Sequence, residues 1–249
     1  MNLIVCLSQV PDTATRVKVG PDGRHIDEQG VSYVVNPYDE YAVEAALQLK
    51  ESDGGTVTAL AIGPERAASA LRTALALGCD EAVHLKTGGP VDDPLQEARI
   101  FAGALEGRSY DLVLMGKQSV DDDTLAQGPM LATLLEVPCM TELVELEVSG
   151  GRARGLREVE GGKQPIESEL PALVTTQKGI NEPRYASLKG IMAAKKKPIE
   201  EVEARPGEEG VKVAELTLPP PRPEGRIVGE GPEAAAELVR LLKEEAKVL

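Results

Sequence analysis

The stretch that most constrains this chain is Asp111 to Gly128, reading Asp-Leu-Val-Leu-Met-Gly-Lys-Gln-Ser-Val-Asp-Asp-Asp-Thr-Leu-Ala-Gln-Gly. Leu112 to Met115 is a short apolar run, of the length and type expected of a strand buried on both faces of a parallel sheet. Gly116 stops it. After a polar loop, Asp121 to Thr124 are acidic and capping residues directly before Leu125, Met130, Leu131, Leu134 and Leu135, which recur near helical spacing. The pattern predicts a strand running through a loop into a helix start. In an open α/β sheet that junction binds ligands, because free backbone N–H groups and the positive helix end converge at the carboxyl end of the strand. Two readings stand side by side. Three aspartates before a helix are what capping and the macrodipole select without any ligand. A nucleotide reading requires backbone amides around Ser119 to Gln127, with Lys117 or the polar side chains, to meet the phosphate while the carboxylates point elsewhere.

The remaining pattern is an alternation of strands and helices. Leu3 to Leu7 reads as the first core strand, and Pro11 prevents its continuing as a paired central one. Val17 to Val19, the Pro-Asp-Gly turn at 21 to 23 and His25-Ile26 read as a hairpin. Pro37 and the acids after it start a helix carrying Tyr41, Ala42, Ala45, Ala46 and Leu49. Val57 to Ile62 is a strand, Ala67, Leu71, Ala74 and Leu75 mark a helix, and Ala82 to Leu85 is a strand. A helix from about Asp93 to Leu105 leads back to Leu112. This rhythm predicts a doubly wound, mostly parallel α/β sheet of Rossmann-like type.

From Pro138 the texture changes to antiparallel additions. Glu142 to Val148 and Ala153 to Val159 flank Ser149-Gly150-Gly151, and Lys163 to Glu169 follow a second Gly-Gly. Pro171 to Thr176 is a further strand. Leu188, Ile191 and Met192 then form one face of a short core helix or, alternatively, present Leu188 outward to a partner. Beyond Pro198 the chain is acidic and proline-rich, with Leu218 to Pro223 reading as polyproline. Glu230 to Leu249 reads as one amphipathic helix with Ala234, Leu238, Leu241 and Leu242 as its stripe. The expected division is an α/β domain over 1–197 and a C-terminal arm over 198–249, lying on its own domain or on a second subunit.

Composition narrows the function classes. A net charge of -14 over 249 residues argues against nucleic-acid or anionic-membrane surfaces, both of which need a clustered basic face. Aromatics are 2%, leaving little for base stacking. Cys6, Cys79 and Cys139 form no metal-spaced pair, and a buried structural role is expected for each. The chain opens straight into a strand and holds no apolar stretch of membrane-spanning length, so the expectation is a soluble cytoplasmic protein. Neither a Walker loop nor a G-x-G-x-x-G fingerprint is present. His25 and His84 suggest no Ser/His/Asp or Cys/His set, and His25, with no carboxylate partner evident, reads as a surface residue. The residues equip no enzyme and no metal site.

Two long motifs carry a family resemblance: Asp111 to Asp123, and Asn181 to Leu188 with Ile191-Met192 and Lys195 to Lys197. In these, and in Asn36-Pro37-Tyr38 and Arg72 to Ala76, the sequence resembles the beta subunit of electron transfer flavoprotein over nearly its whole length. The resemblance implies an electron carrier, a heterodimer with an alpha subunit that holds most of an FAD while this subunit binds AMP structurally. By match to the family pattern, AMP lies against Cys6, Asn36, Ile62 and the loop Gly116, Lys117, Gln118, Ser119, Val120, Asp121, Asp122, Asp123, Thr124, Leu125, Ala126 and Gln127. Leu125, Ala126 and Gln127 are less polar than in some relatives, which shifts phosphate binding toward backbone N–H groups. Tyr38 and the loop near Thr13 correspond to positions approaching the flavin, although some relatives carry Tyr where Thr13 stands.

Segment 184–197 resembles the family's recognition loop, in which Leu188, with Tyr185, Ile191 and Met192 around it, anchors in a partner dehydrogenase. One buried leucine is worth about 1.5 to 3 kcal/mol, which suits a transient redox encounter. Lys189-Gly190 departs from the Pro-Asn often found there. Glu158 matches an acidic position that restrains the flavin domain, and reads equally as an exposed strand charge. The implied electron path runs from acyl-CoA or related dehydrogenases of fatty acid beta-oxidation to a membrane quinone oxidoreductase. Two alternatives remain: a bifurcating relative with a second FAD in the AMP pocket and NADH as donor, and an ATP-binding or ATP-hydrolysing α/β module.

Overall fold

Leu3, Val5 and Leu7 of the first strand, β1 (Asn2–Leu7), pack into one hydrophobic core, while Ile4 and Cys6 pack into a second core on the other face. A strand covered on both faces has no polar side to show, and this is why it reads as an unbroken apolar run. In this computed structural model, which describes every residue except Arg205, Glu209 and Pro223, β1 lies near the middle of a nine-stranded sheet.

After β1 the chain makes a small antiparallel pair, β2 (Gln9–Pro11) with β3 (Tyr33–Val35). Pro11 is paired there, at the end of a two-stranded ribbon, where a missing N–H is tolerated. The 17–26 excursion closes as an isolated bridge between Val19 and Ile26. Helix α1 (Pro37–Asp53) buries Ala42, Ala45 and Ala46, small side chains that let it approach the sheet closely. There follow β4 (Thr56–Gly63), a 3-10 turn at Glu65–Ala67, α2 (Ala68–Leu77), β5 (Glu81–Lys86), α3 (Pro94–Leu105), β6 (Leu112–Gly116) and α4 (Gln127–Leu134). The chain then forms β7 (Cys139–Ser149), β8 (Arg152–Val159), β9 (Gly162–Glu169), β10 (Ala172–Thr176), α5 (Leu188–Ala194) and β11 (Glu200–Glu203).

The sheet order is β11-β5-β4-β1-β6-β10-β7-β8-β9. Pairing is parallel from β11 to β7 and antiparallel for β7–β8 and β8–β9. The doubly wound, mostly parallel α/β sheet with antiparallel additions is therefore present. Successive strands leave β1 first toward β4 and β5 and then, through α3, toward β6, so the order reverses beside β1.

Three local expectations are corrected. The helix after β6 begins at Gln127, with Ala126 as its N-cap and no side-chain cap. Asp123 and Leu125 have φ of 52° and 54°, a left-handed conformation no helix continues through, so the aspartates are not caps and Leu125 is exposed instead of core-facing. Cys6 and Cys79 are buried, but Cys139 is exposed. His84, inside the expected 82–85 strand, lies within β5 and is fully buried. The acidic stretch after Pro198 is partly a strand: Glu200 to Glu203 pair with Val83 to Lys86 on the sheet edge.

The chain forms two compact units, Met1–Leu216 and Thr217–Leu249. The second is built around α6 (Ala234–Glu244), shorter than the expected 230–249 helix, and none of its helical residues is buried. Arg240 bridges Glu237 and Glu244 along it. Residues 218–222 are exposed and in neither helix nor strand, and Pro223, the last residue of the expected polyproline run, lies outside the described residues. Among the described residues no helix is long and apolar enough to cross a membrane, and no group of His, Cys, Asp and Glu could hold a metal ion.

Candidate functional site

A cleft of about 910 Å³ opens at the carboxyl ends of β1, β4 and β6, where the strand order reverses. Its floor is Leu7 and Ser8 after β1, Ile62 and Gly63 of β4, and Gly116 of β6. One wall is the loop from Lys117 to Asp122 with Thr124 to Gln127, and α3 adds Glu97 and Phe101. The 24–33 region and Arg66 stand opposite.

The floor is held by one of the acids at the start of α1. Asp39, in the first turn of α1, is buried, and its carboxylate accepts from the N–H of Ser8 at 2.7 Å and of Gly116 at 2.8 Å. Burial pushes its carboxyl up to about 7, with the two N–H bonds pulling the other way. Gly116 has no room for a side chain, since a Cβ would lie 2.6 Å from both Asp39 Oδ1 and Tyr38 Cβ. Asn36 donates from Nδ2 to the Gln118 carbonyl at 2.8 Å, while its buried Oδ1 has no partner among the described residues.

Two of the three aspartates of the loop do different work from capping the helix. Asp122 accepts from Ser119 Oγ at 2.7 Å and from the Thr124 N–H at 3.1 Å, and Asp123 accepts from the Gln118 side-chain amide. Two of the carboxylates are thus turned into their own loop. Among the described residues the N–H groups of Ser119, Val120 and Gln127 have no hydrogen-bond partner. Lys117 commits its ammonium to Glu142 at 3.4 Å and to the Tyr38 ring at 5.6 Å.

Glu97 accepts from Gln127 Nε2 at 2.5 Å. Burial, reinforced by the charges of Asp122 and Asp121, pushes its carboxyl up to about 8. At neutral pH this acid of the cleft wall is therefore largely uncharged. Arg66 also lines the cleft, hydrogen-bonded to Gln9 and Glu28 and stacked 3.8 Å over the Tyr33 ring. An open cleft of this size, with unpaired N–H groups and one neutralised acid, can hold a small anionic molecule such as a nucleotide.

A sequence model described as electron transfer flavoprotein domain matches residues 24–206. Electron transfer flavoprotein subunit beta of Bacillus subtilis is 42% identical over the whole of both chains. The protein of the same name from Bradyrhizobium diazoefficiens is also 42% identical over the whole of both, and that of Mus musculus is 37% identical over all of this chain and 99% of the mouse protein. This chain belongs to the electron transfer flavoprotein beta-subunit family. It is thereby a member of a family of flavoprotein electron carriers.

Against that family's pattern, Ile62 and the loop residues Gly116 to Asp122 and Thr124 to Gln127 line one cleft, as does Thr13. Cys6, Asn36, Tyr38 and Asp123 do not line it. Cys6 is sealed in the core with its thiol held protonated by burial. Asn36 and Asp123 act on the loop through hydrogen bonds, and Tyr38 sits half-buried with its carbonyl accepting from Thr176 Oγ1 at 3.0 Å. On α5 and just before it, Tyr185 is 98% exposed, Leu188 78%, Met192 53% and Ile191 40%, so these side chains are not core. Glu158 is an exposed residue of β8.

Patterning missed Asp39, Glu97 and the pairing of His25, which meets two carboxylates, Asp22 at 2.5 Å and Asp92 at 3.2 Å. Asp39 and Glu97 each lie in the first turn of a helix, where an acid is explained by the macrodipole alone, and no local signal separates the two roles.

Proposed function

We propose that this chain is the beta subunit of a heterodimeric flavin electron carrier. In this reading the cleft holds AMP as a structural ligand and an alpha-subunit partner holds most of an FAD, with Tyr38 toward the flavin. Acyl-CoA or related dehydrogenases dock on the exposed face of α5, and the electrons leave to a membrane quinone oxidoreductase. The chain carries no catalytic residue of its own and works in the cytoplasm.

The observation that carries the AMP reading is the loop from Gly116 to Gln127. It lines a nucleotide-sized cleft with unpaired N–H groups while Asp122 and Asp123 turn their charge into the loop itself. Phosphate then meets backbone dipoles on the side of the loop away from those two carboxylates. Leu188 supports the docking reading, because a leucine 78% exposed on a short helix with no cover of its own is a ready peg for an apolar socket. Glu158, exposed on β8, is available to restrain a moving flavin domain.

The test is to co-express the chain with an alpha subunit, denature the purified heterodimer and quantify what is released. One FAD and one AMP per heterodimer is the expected result. Two FAD without AMP would replace the reading with a bifurcating carrier that uses the same cleft for a second flavin and NADH as donor. ATP turnover by the isolated chain, with no flavin in the complex, would replace it with an ATP-dependent module.

A further inference from the structure

Two segments distant in sequence meet at the mouth of the cleft, and both are fastened to one dipeptide. The turn at 20–26 brings His25 Nε2 to 3.2 Å from Asp92 Oδ2, across the mouth from its own loop. The stretch 210–216 is tied to the next residue, Asp93, whose Oδ2 accepts from the N–H groups of Gly210 at 2.8 Å and Val211 at 3.3 Å. Asp93 is itself fixed, since it is buried and its Oδ1 caps α3 by accepting from the Leu95 N–H at 2.9 Å. The two segments are joined to each other as well, the Leu216 N–H donating to the Gly23 carbonyl at 2.8 Å. His25, Val213 and Leu216 all line the cleft.

We propose that the 20–26 turn and the 210–216 strap form a hinged roof over the cleft, with His25 as a proton-operated catch on Asp92. The proposal rests on the reading that the cleft holds a nucleotide. The catch works through the proton count of the ring. Charged imidazole has two N–H donors and serves Asp22 through Nδ1 and Asp92 through Nε2 together. The neutral ring has one donor. The Asp22 contact is the shorter, 2.5 Å, so the remaining proton stays on Nδ1 and the Nε2 lone pair then faces a carboxylate. Losing the proton thus opens the Asp92 side specifically.

The charged groups about the ring are Asp22, Arg24 and Glu28 on its own loop and Asp92 on the opposite rim, with Arg66 engaged on Glu28. The strap presents Val213 and Leu216 to the cleft, neither of which titrates, and its charged residues are the exposed Lys212 and Glu215. Asp22, with Asp92 adding to it, raises the ring's pKa, so the proton leaves at higher pH than from an ordinary histidine. The strap's bonds to Asp93 and the Leu216 N–H bond to the Gly23 carbonyl do not titrate and stay made across that range, so the part that loosens is the His25 end of the turn.

The experiment uses the heterodimer loaded with radiolabelled AMP and chased with unlabelled AMP, for wild type, Asp92→Asn and His25→Gln, from mildly acidic to mildly alkaline pH. Exposed ion pairs are weak, so the expected gain in release rate for D92N over wild type is about two- to five-fold on the acidic side. It falls to parity on the alkaline side as the wild-type catch lets go, and H25Q follows D92N. Hydrogen exchange of peptides covering 20–26 and 210–216 is read in the same samples, and the same ratio is expected in the 20–26 peptide. Equal rates for variant and wild type at every pH, in both readouts, overturn the catch. If the complex carries no AMP, the nucleotide reading fails on its own and the exchange ratio alone decides the roof.

Discussion

Asp39 accepts the Gly116 N–H at 2.8 Å across 77 residues of chain, and with its other oxygen it accepts the Ser8 N–H. One buried carboxylate thereby pins the first turn of α1 to the ends of β1 and β6 and sets the floor of the cleft. The first prediction follows from the crowding at this joint. Gly116→Ala puts a methyl 2.6 Å from Asp39 Oδ1 and from Tyr38 Cβ, and forcing it in costs about 1 to 3 kcal/mol. The urea midpoint should fall with the slope unchanged, and the AMP recovered per heterodimer should fall with it. Unchanged stability and ligand content would mean that the floor is compliant.

Glu97 leads to a pH prediction. Its folded carboxyl is raised to about 8 by burial and by Asp122 and Asp121, so the folded protein holds a proton that the unfolded chain has released. Its contribution to stability is therefore complete below the ordinary carboxylate range and is lost as pH rises through about 8. Glu97→Gln removes a group that must ionise in that window, so its melting temperature should decline less steeply with pH than that of wild type. The difference between the two proteins should grow from the carboxylate range to mildly alkaline pH. A difference independent of pH would show that Glu97 does not titrate there.

Arg184 holds the chain just ahead of the exposed helix. Its guanidinium meets Glu44 at 2.7 and 3.0 Å and Glu51 at 2.5 and 3.1 Å, both on α1. Glu44 is buried, so Arg184→Ala leaves a buried carboxylate without its counter-charge, with the Gln48 amide as its remaining side-chain partner, and should cost about 1 to 3 kcal/mol. Lysine keeps the charge without the planar fork and should recover only part of it. Hydrogen exchange should rise in 181–194 and leave the sheet unchanged. Loss spread evenly over the fold would assign Arg184 to global stability instead.

Leu188 is the peg of the docking reading. Leu188→Ala should leave melting unchanged, since the side chain is 78% exposed. It should raise the KM for the heterodimer as acceptor from an acyl-CoA dehydrogenase, by about ten- to a hundredfold if the whole 1.5 to 3 kcal/mol of leucine burial is lost. A KM that does not move would place docking elsewhere.

Gly190 carries a related prediction. A Cβ there would collide with the Ala76 carbonyl oxygen, so α5 sits against α2 at glycine's distance. Arg72 secures the far end by donating to the carbonyls of Ala194 and Lys197. Gly190→Ala should lift α5, increasing its exchange and raising the same KM as L188A without changing flavin content. Wild-type exchange and KM in this variant would show that α2 yields instead.

Much of the sheet was legible because a strand buried on both faces must be apolar throughout, and Leu3 to Leu7, Val57 to Ile62 and Leu112 to Met115 each announce it. The hairpins were legible through Gly150-Gly151 and Gly161-Gly162. The start of α4 was not, because Asp-Asp-Asp-Thr before leucines is a sound capping signal, and only the left-handed backbone at Asp123 and Leu125 reveals a loop that bonds to itself. Nor was β11, since Glu-Glu-Val-Glu has no strand pattern and pairs only because an edge of β5 lies open to it.

By itself the sequence determined the α/β alternation, the strand-loop-helix junction that forms one wall of the cleft, and membership of the flavoprotein family. These are carried by periodicity and by contiguous motifs. The tertiary structure alone decided that β10 inserts between β6 and β7, that Leu188 faces solvent, and that Asp39 clamps Gly116, His25 meets Asp92 and Arg184 grips Glu44. The residues of those last pairs are 77, 67 and 140 positions apart. A local pattern reaches one helical turn or one strand, so a contact closed by the packing of separate elements leaves no trace in it.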